Sequence, residues 1–151
     1  MGYIQELRSK IGHDPVILVG AVALIHDETG AVLLQKRTYP RGSWGIPGGL
    51  MELGESAEET VVREFQEEAG ILIGNLQLFQ VYSGAQVPSI AKNGDLYYPV
   101  TIAYEAELLS AEWQIDPEES AGFEFRTKEK VPKRLLRNHG KILMDYFERL
   151  K

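Results

Sequence analysis

The segment SAEETVVREFQEEAG, residues 56–70, constrains the fold more than any other stretch, because it reads as a helix with two incompatible faces. Ser56 and Glu59 stand at capping-box spacing, S-x-x-E, and Gly70 stands where a helix stops. At about 100° per residue, Ala57, Val61, Val62, Phe65 and Ala69 share one arc of roughly 140°, which must pack on a core. Glu64, Glu67 and Glu68 share a second arc of roughly 100° that meets the edge of the first, and Arg63, Gln66 and Glu59 take the remainder. Like charges three and four residues apart on a helix repel. Residues 49–71 hold seven glutamates in all, at 52, 55, 58, 59, 64, 67 and 68. Carboxylates this close raise one another's pKa values or take a counter-charge. An oxygen-only donor set suits a hard divalent cation, Mg²⁺ or Mn²⁺, and no histidine or cysteine stands nearby to favour zinc. Arg63 offsets part of the repulsion and can orient one carboxylate by a bidentate contact. The plain alternative is an exposed glutamate-rich helix. The preceding IPGGLMELGES weighs against it, because three glycines and a proline bend the chain and can bring a backbone carbonyl beside the carboxylates.

The rest of the chain narrows the class. Its 151 residues suit one domain over 1–151, with 44% hydrophobic and 25% charged residues as in ordinary globular proteins. The absence of cysteine excludes disulfides, thiolate zinc sites and cysteine nucleophiles, and fits a reducing, cytoplasmic location. The N-terminal MGYIQELRSKIGHD has neither the apolar region of a signal peptide nor a myristoylation signal. The longest apolar run, VILVGAVALI, is 10 residues, too short to span a bilayer, so no membrane partner is expected. A net charge of −6 argues against binding a nucleic-acid polymer. The charge is uneven: residues 126–151 hold 9 of the 16 basic residues and 3 of the 22 acids, a tail that reads as a solvated helix face or as a neighbour of an anionic ligand.

Periodicity and turn residues predict a short helix over 3–11, a strand over 16–25, a turn at DETG (27–30) and a strand in AVLLQKR, the two strands forming a hairpin. Residues 38–49 read as a loop. Strands are expected at 76–83, 96–108 and 123–127, and a helix from Pro132 onward, where Leu135, Leu136, Ile142, Leu143, Tyr146, Phe147 and Leu150 recur at helical spacing. One α/β or α+β sandwich is the expected architecture.

The stretch from Gly49 to Ile71 resembles the signature of the Nudix hydrolases, G-x5-E-x7-R-E-U-x-E-E-x-G-U with U a bulky apolar residue. Gly49, Glu55, Arg63, Glu64, Phe65, Glu67, Glu68, Gly70 and Ile71 meet every fixed position, with an aromatic Phe65 where an aliphatic residue is usual. The flanking LLQKR and WGIPGG are also similar to the family's lead-in. The resemblance implies an α/β/α sandwich with a mixed sheet and a loop–helix–loop motif. It implies hydrolysis of the diphosphate linkage in a nucleoside diphosphate joined to another moiety, with Mg²⁺ (Mn²⁺ as the alternative) as cofactor. By motif position it implies Glu64, Glu67 and Glu68 as cation ligands, with Glu64 alternatively helping to activate water, and the carbonyl of Gly48 as a backbone ligand. Arg63 and Glu55 then order loop and helix. The general base in this family often lies outside the motif; here the candidates are Glu118, Glu119 and Glu124, with Glu119 preferred. Members of the family often form dimers, and a homodimer is carried over as an expectation.

For the substrate, a nucleotide or nucleotide sugar, Arg37 and Arg41 are candidate phosphate contacts and Trp44 a candidate for stacking on a base, each against a plain surface or packing role. Tyr39, Tyr82 and Tyr98 read first as packing residues. Members that cleave ADP-ribose often carry a proline about 16 residues past the motif, and Pro88 lies 17 past Ile71, a near match. His13, His26 and His139 are scattered and make no metal set. The competing reading is a non-catalytic Nudix-fold module that binds a nucleotide.

Overall fold

The computed structural model describes residues 2–110, 112–118, 120–136 and 138–150. Helix α1 (Tyr3–Ile11) leads into strands β1 (Val16–Leu24) and β2 (Val32–Arg37). Two short strands, β3 (Trp44–Gly45) and β4 (Gly48–Leu50), precede helix α2 (Ala57–Ala69). Strands β5 (Ile73–Tyr82), β6 (Ser89–Ile90), β7 (Leu96–Leu108) and β8 (Ser120–Arg126) follow, then a 3₁₀ turn at Lys128–Lys130 and helix α3 (His139–Arg149). One sheet has the order β4-β1-β7-β5 with β6 against β7, and the other the order β3-β2-β8. The first is mixed, because β1 and β7 run parallel while its other pairs are antiparallel.

Side-chain alternation along β1 and β2 builds two cores, one on each sheet face. Ala21, Ala23, Ile25 and Leu33 join Val61, Phe65 and Ala69 of α2 in one cluster. Val22, Leu24, Val32 and Leu34 join Ile142, Leu143, Tyr146 and Phe147 of α3 in the other. Strands between two helices make the expected α/β/α sandwich with a mixed sheet.

Three local expectations are corrected. The hairpin forms only at its turn, where the Leu33 amide donates to the Ile25 carbonyl at 2.8 Å. Beyond it β1 and β2 part into different sheets, because β1 is already paired on both edges by β4 and β7. Residues 38–49 are not all loop, since β3 and the start of β4 lie within them. Helix α3 begins at His139 rather than near Pro132, because the backbone before it is used by β3: the Trp44 amide donates to the Arg134 carbonyl at 2.8 Å and the Leu136 amide to the Trp44 carbonyl at 2.9 Å.

Helix α2 keeps its expected limits. Ser56 accepts from the Glu59 amide while the Glu59 side chain accepts from the Ser56 amide, and Gly70 closes the helix in a left-handed conformation (φ 64°). Among the described residues no helix is long and apolar enough to cross a membrane. Ser56→Ala removes one half of the reciprocal cap and is expected to cost about 1 kcal/mol, lowering Tm by about 2–4 °C in a thermal melt; an unchanged Tm would contradict the cap's contribution.

Candidate active site

Strand β4 delivers two glycines to the foot of α2. It pairs antiparallel with β1, placing Gly48 opposite Val22 and Gly49 opposite Ala21. A Cβ on Gly48 would lie 2.0 Å from the Ala21 carbonyl oxygen, and one on Gly49 would lie 2.2 Å from Cδ of Glu64. Only glycine lets the strand pair this closely and still seat a helix carboxyl against its backbone.

Arg63 ties this strand to the helix. Its Nε donates to Glu55 Oε2 at 2.6 Å and its Nη2 to Glu55 Oε1 at 3.0 Å and to the Leu50 carbonyl at 3.1 Å. Its Nη1 donates to Glu64 at 2.9 Å and Glu67 at 3.2 Å. The Arg63 hydrogen bond, with lesser help from the Glu52 amide and Thr60 hydroxyl, holds the Glu55 carboxyl down at about 2.

The three candidate ligands differ in environment. The Glu67 side chain is 61% exposed, that of Glu64 is 16% exposed, and Glu68 as a residue is 4% exposed. Glu68 therefore belongs to the buried face of the helix rather than to its solvent edge. Burial pushes the Glu64 carboxyl up, against the opposing pull of Arg63 and of a hydrogen bond with Glu68. Glu64, Glu67, Glu68 and Gly48 all line one cleft of about 810 Å³. Among the described residues no three carboxylates converge into a ready-made cation site. A single guanidinium nitrogen, Nη1 of Arg63, instead stands between Glu64 and Glu67 as their positive charge. The donors are all oxygen and lie in one cleft, and a cation there would offset the burial that raises the Glu64 carboxyl; this set fits a hard divalent cation.

The remaining expectations divide. Arg37 lines the cleft, and its buried Nε has no hydrogen-bond partner. Arg41 is exposed and does not line the cleft, whereas Arg134 does. The base-stacking role weighed for Trp44 is corrected: the ring is 8% exposed, packs with the α3 cluster and is covered by the Arg126 guanidinium at 4.8 Å from its centroid. Glu119 lies outside the described residues. Glu118 lines the cleft beside Asp116, and Glu124 is exposed on β8, bonded to Arg126. Tyr82 is buried and donates to Asp145, while Tyr39 lines the cleft, as does Tyr97, which the sequence did not single out.

Two buried residues of this cleft region were not singled out as site candidates, although Gln35 stands within LLQKR. Gln35, in β2, donates to Glu68. His139, the first residue of α3, accepts the Ile46 amide on Nδ1 at 2.9 Å, just ahead of Gly48. With that nitrogen accepting, the ring proton of the neutral imidazole sits on Nε2. Burial, and secondarily the charge of Arg37, depress its pKa from 6.5 to about 4. Above pH 7 this histidine is neutral in both folded and unfolded chains. As pH falls from 6.5 to 4 the unfolded chain takes up the proton first, so stability is lost across that window. His139→Asn removes the titration, and the stability gap between wild type and variant in urea unfolding is expected to shrink by about 2–3 kcal/mol from pH 7 to pH 4.5. A gap that stays constant with pH would contradict a buried neutral imidazole.

Known proteins share this arrangement of elements. A model of the NUDIX domain matches residues 16–146. The chain is 30% identical over 129 residues to an ADP-ribose pyrophosphatase of Methanocaldococcus jannaschii, covering 85% of this chain and 72% of that one. It is 36% identical over 63 residues to the 8-oxo-dGTP diphosphatase of Escherichia coli, covering 40% of this chain and 49% of that one, and it likewise spans under half the length of several other curated relatives. Among solved structures, a MutT NUDIX hydrolase from Burkholderia pseudomallei superposes with a TM-score of 0.69 at 28% identity, over 91% of this chain and 99% of that one. The NUDIX domain of Shewanella oneidensis NrtR, solved with ADP ribose, shares the fold with a TM-score of 0.65 at 23% identity, over the full length of both. Together with the glycine-backed glutamates clamped by Arg63, the match over residues 16–146 makes this chain a member of the Nudix hydrolase family and a pyrophosphohydrolase of that kind.

Proposed function

We propose that the chain, working as a single domain in the cytoplasm, hydrolyses the diphosphate linkage of a nucleoside diphosphate joined to a sugar or another group, with Mg²⁺ as cofactor and Mn²⁺ as the alternative. The observation that carries this reading is the shared cleft, where Glu64, Glu67 and Glu68 face the same space as Arg37 and Arg134. The glutamates offer oxygen donors to a cation, and the arginines offer positive charge to phosphate oxygens. Glu64, Glu67, Glu68 and the Gly48 carbonyl would hold the cation. When bound, the cation neutralises diphosphate charge and lowers the pKa of an attacking water.

The chain's own residues supply position. Arg63 holds the strand–loop–helix unit together and, with Glu55, stands behind the ligands rather than on the substrate. Arg37 meets phosphate oxygens, with Arg134, which also lines the cleft, in the place first given to Arg41. Proton removal from water falls to a carboxylate outside the motif: Glu119 remains the proposed base, and Glu118 beside it lines the cleft. The relation to the M. jannaschii ADP-ribose pyrophosphatase makes ADP-ribose the first substrate to try.

The test is product release from a panel of nucleoside diphosphate sugars and nucleotides with Mg²⁺, comparing wild type with Glu68→Gln. The wild type is expected to turn over at least one diphosphate, and the variant to be slower by roughly two to five orders of magnitude. Equal rates would overturn the role of Glu68. Ligand binding with no turnover across the panel would favour a binding module instead.

A further inference from the structure

Gln35 has a chemical role that packing does not require. It is fully buried on β2, on the same face as Leu33, which packs into the α2-side core. Burying an amide costs free energy unless it is hydrogen-bonded, so an apolar residue would serve a purely structural position better. The amide bonds on both sides. Its Oε1 accepts from Arg37 Nη1 at 3.4 Å, and its Nε2 donates to Glu68 Oε2 at 3.3 Å. A guanidinium can only donate, so Arg37 fixes which way the amide faces and leaves the NH₂ for Glu68.

Neither neighbour is neutralised by this contact. Arg37 has no ion pair among the described residues, its buried Nε has no hydrogen-bond partner, and its side chain lines the cleft. Glu68 lines the same cleft from α2. Two opposite charges drawn together in a poorly solvated cleft tend to pair directly, and that pairing would take the cation ligand and the anion contact out of use together. A neutral amide of this length satisfies one bond on each and keeps them apart.

We propose that Gln35 is a positioning residue that separates Arg37 from Glu68, holding one for the anionic substrate and the other for the divalent cation. The inference rests on reading this cleft as the diphosphate hydrolase site. Its geometry is built into the strand: residues 35 and 37 share a face at i and i+2, and an irregularity in the β2–β8 register falls between Lys36 and Arg37.

The experiment uses the full chain, with Mn²⁺ alone as the binding probe and, as the second readout, steady-state hydrolysis of whichever diphosphate the wild type cleaves. Gln35→Met keeps the length and most of the volume but neither hydrogen bond. It is expected to weaken Mn²⁺ binding about tenfold in substrate-free calorimetry and to raise KM about tenfold, with Tm lowered by a few degrees at most. Gln35→Glu separates the two effects. Its carboxylate captures Arg37, so KM rises at least as far, while the added negative charge leaves Mn²⁺ binding equal to wild type or tighter. Variants that change Tm but leave both KM and Mn²⁺ affinity within twofold of wild type would overturn the proposal and leave the hydrolase reading intact. A wild type that neither binds Mn²⁺ nor cleaves any diphosphate would overturn the hydrolase reading, and this inference with it.

Discussion

The arrangement turns on one guanidinium. Arg63 makes five hydrogen bonds: two to Glu55, one to the Leu50 carbonyl, and one each to Glu64 and Glu67. These partners come from the end of β4, from the loop that follows and from α2 itself, so a single side chain joins all three parts of the motif. The eight-residue separation of Glu55 and Arg63 spans the Ser56 cap and about two turns of α2, which bring the arginine back over the glutamate. Charge-assisted, bidentate contacts of this kind fix direction as well as distance. Arginine is suited to the task because its planar fork serves several acceptors at once, which a lysine ammonium does less well. The same fork resolves the repulsion that the helix carries on paper: Glu64 and Glu67 share Nη1, and Glu68 turns inward to Gln35.

Helix α1 buries no residue of its own. The Tyr3 amide at its start donates to Glu52 in the motif loop at 2.9 Å, and Arg8 donates to the Leu96 carbonyl at the start of β7 at 2.6 Å. The helix is thus a polar strap from the loop to the rim near Tyr97 and Lys92 rather than a piece of core. The glutamates of α2 form a gradient, from exposed Glu67 to buried Glu68. One helix edge therefore offers carboxylates of different burial and different electrostatic cost.

What was legible in the sequence was what local rules govern. The limits of α2 followed from Ser56, Glu59 and Gly70, and the core face from Val61, Phe65 and Ala69, because caps and helical periodicity are decided within a few residues. The motif spacing gave the cleft its carboxylates for the same reason. The misreadings were all non-local. Nothing near DETG says that β1 will be flanked by β4 and β7, so local rules predict a longer hairpin than forms. Nothing in the apolar stripe after Pro132 says that residues 134–136 will bond to Trp44, so local periodicity starts α3 too early and leaves stacking and packing both open for Trp44. Gln35 did leave a trace, a polar residue after an apolar run, but the carboxylate it meets lies 33 residues away on a helix. His139 left none, since its bond to Ile46 spans 93 residues.

In the proposed reading the Arg63 clamp, and not the glutamates alone, makes the cation site. The most direct measurement is calorimetric titration of substrate-free protein with Mn²⁺, comparing wild type with Arg63→Lys, which keeps the charge and loses the fork. The account predicts saturable binding to the wild type and an affinity at least about tenfold weaker in the variant. Equal affinity in the two proteins, both folded, would contradict it.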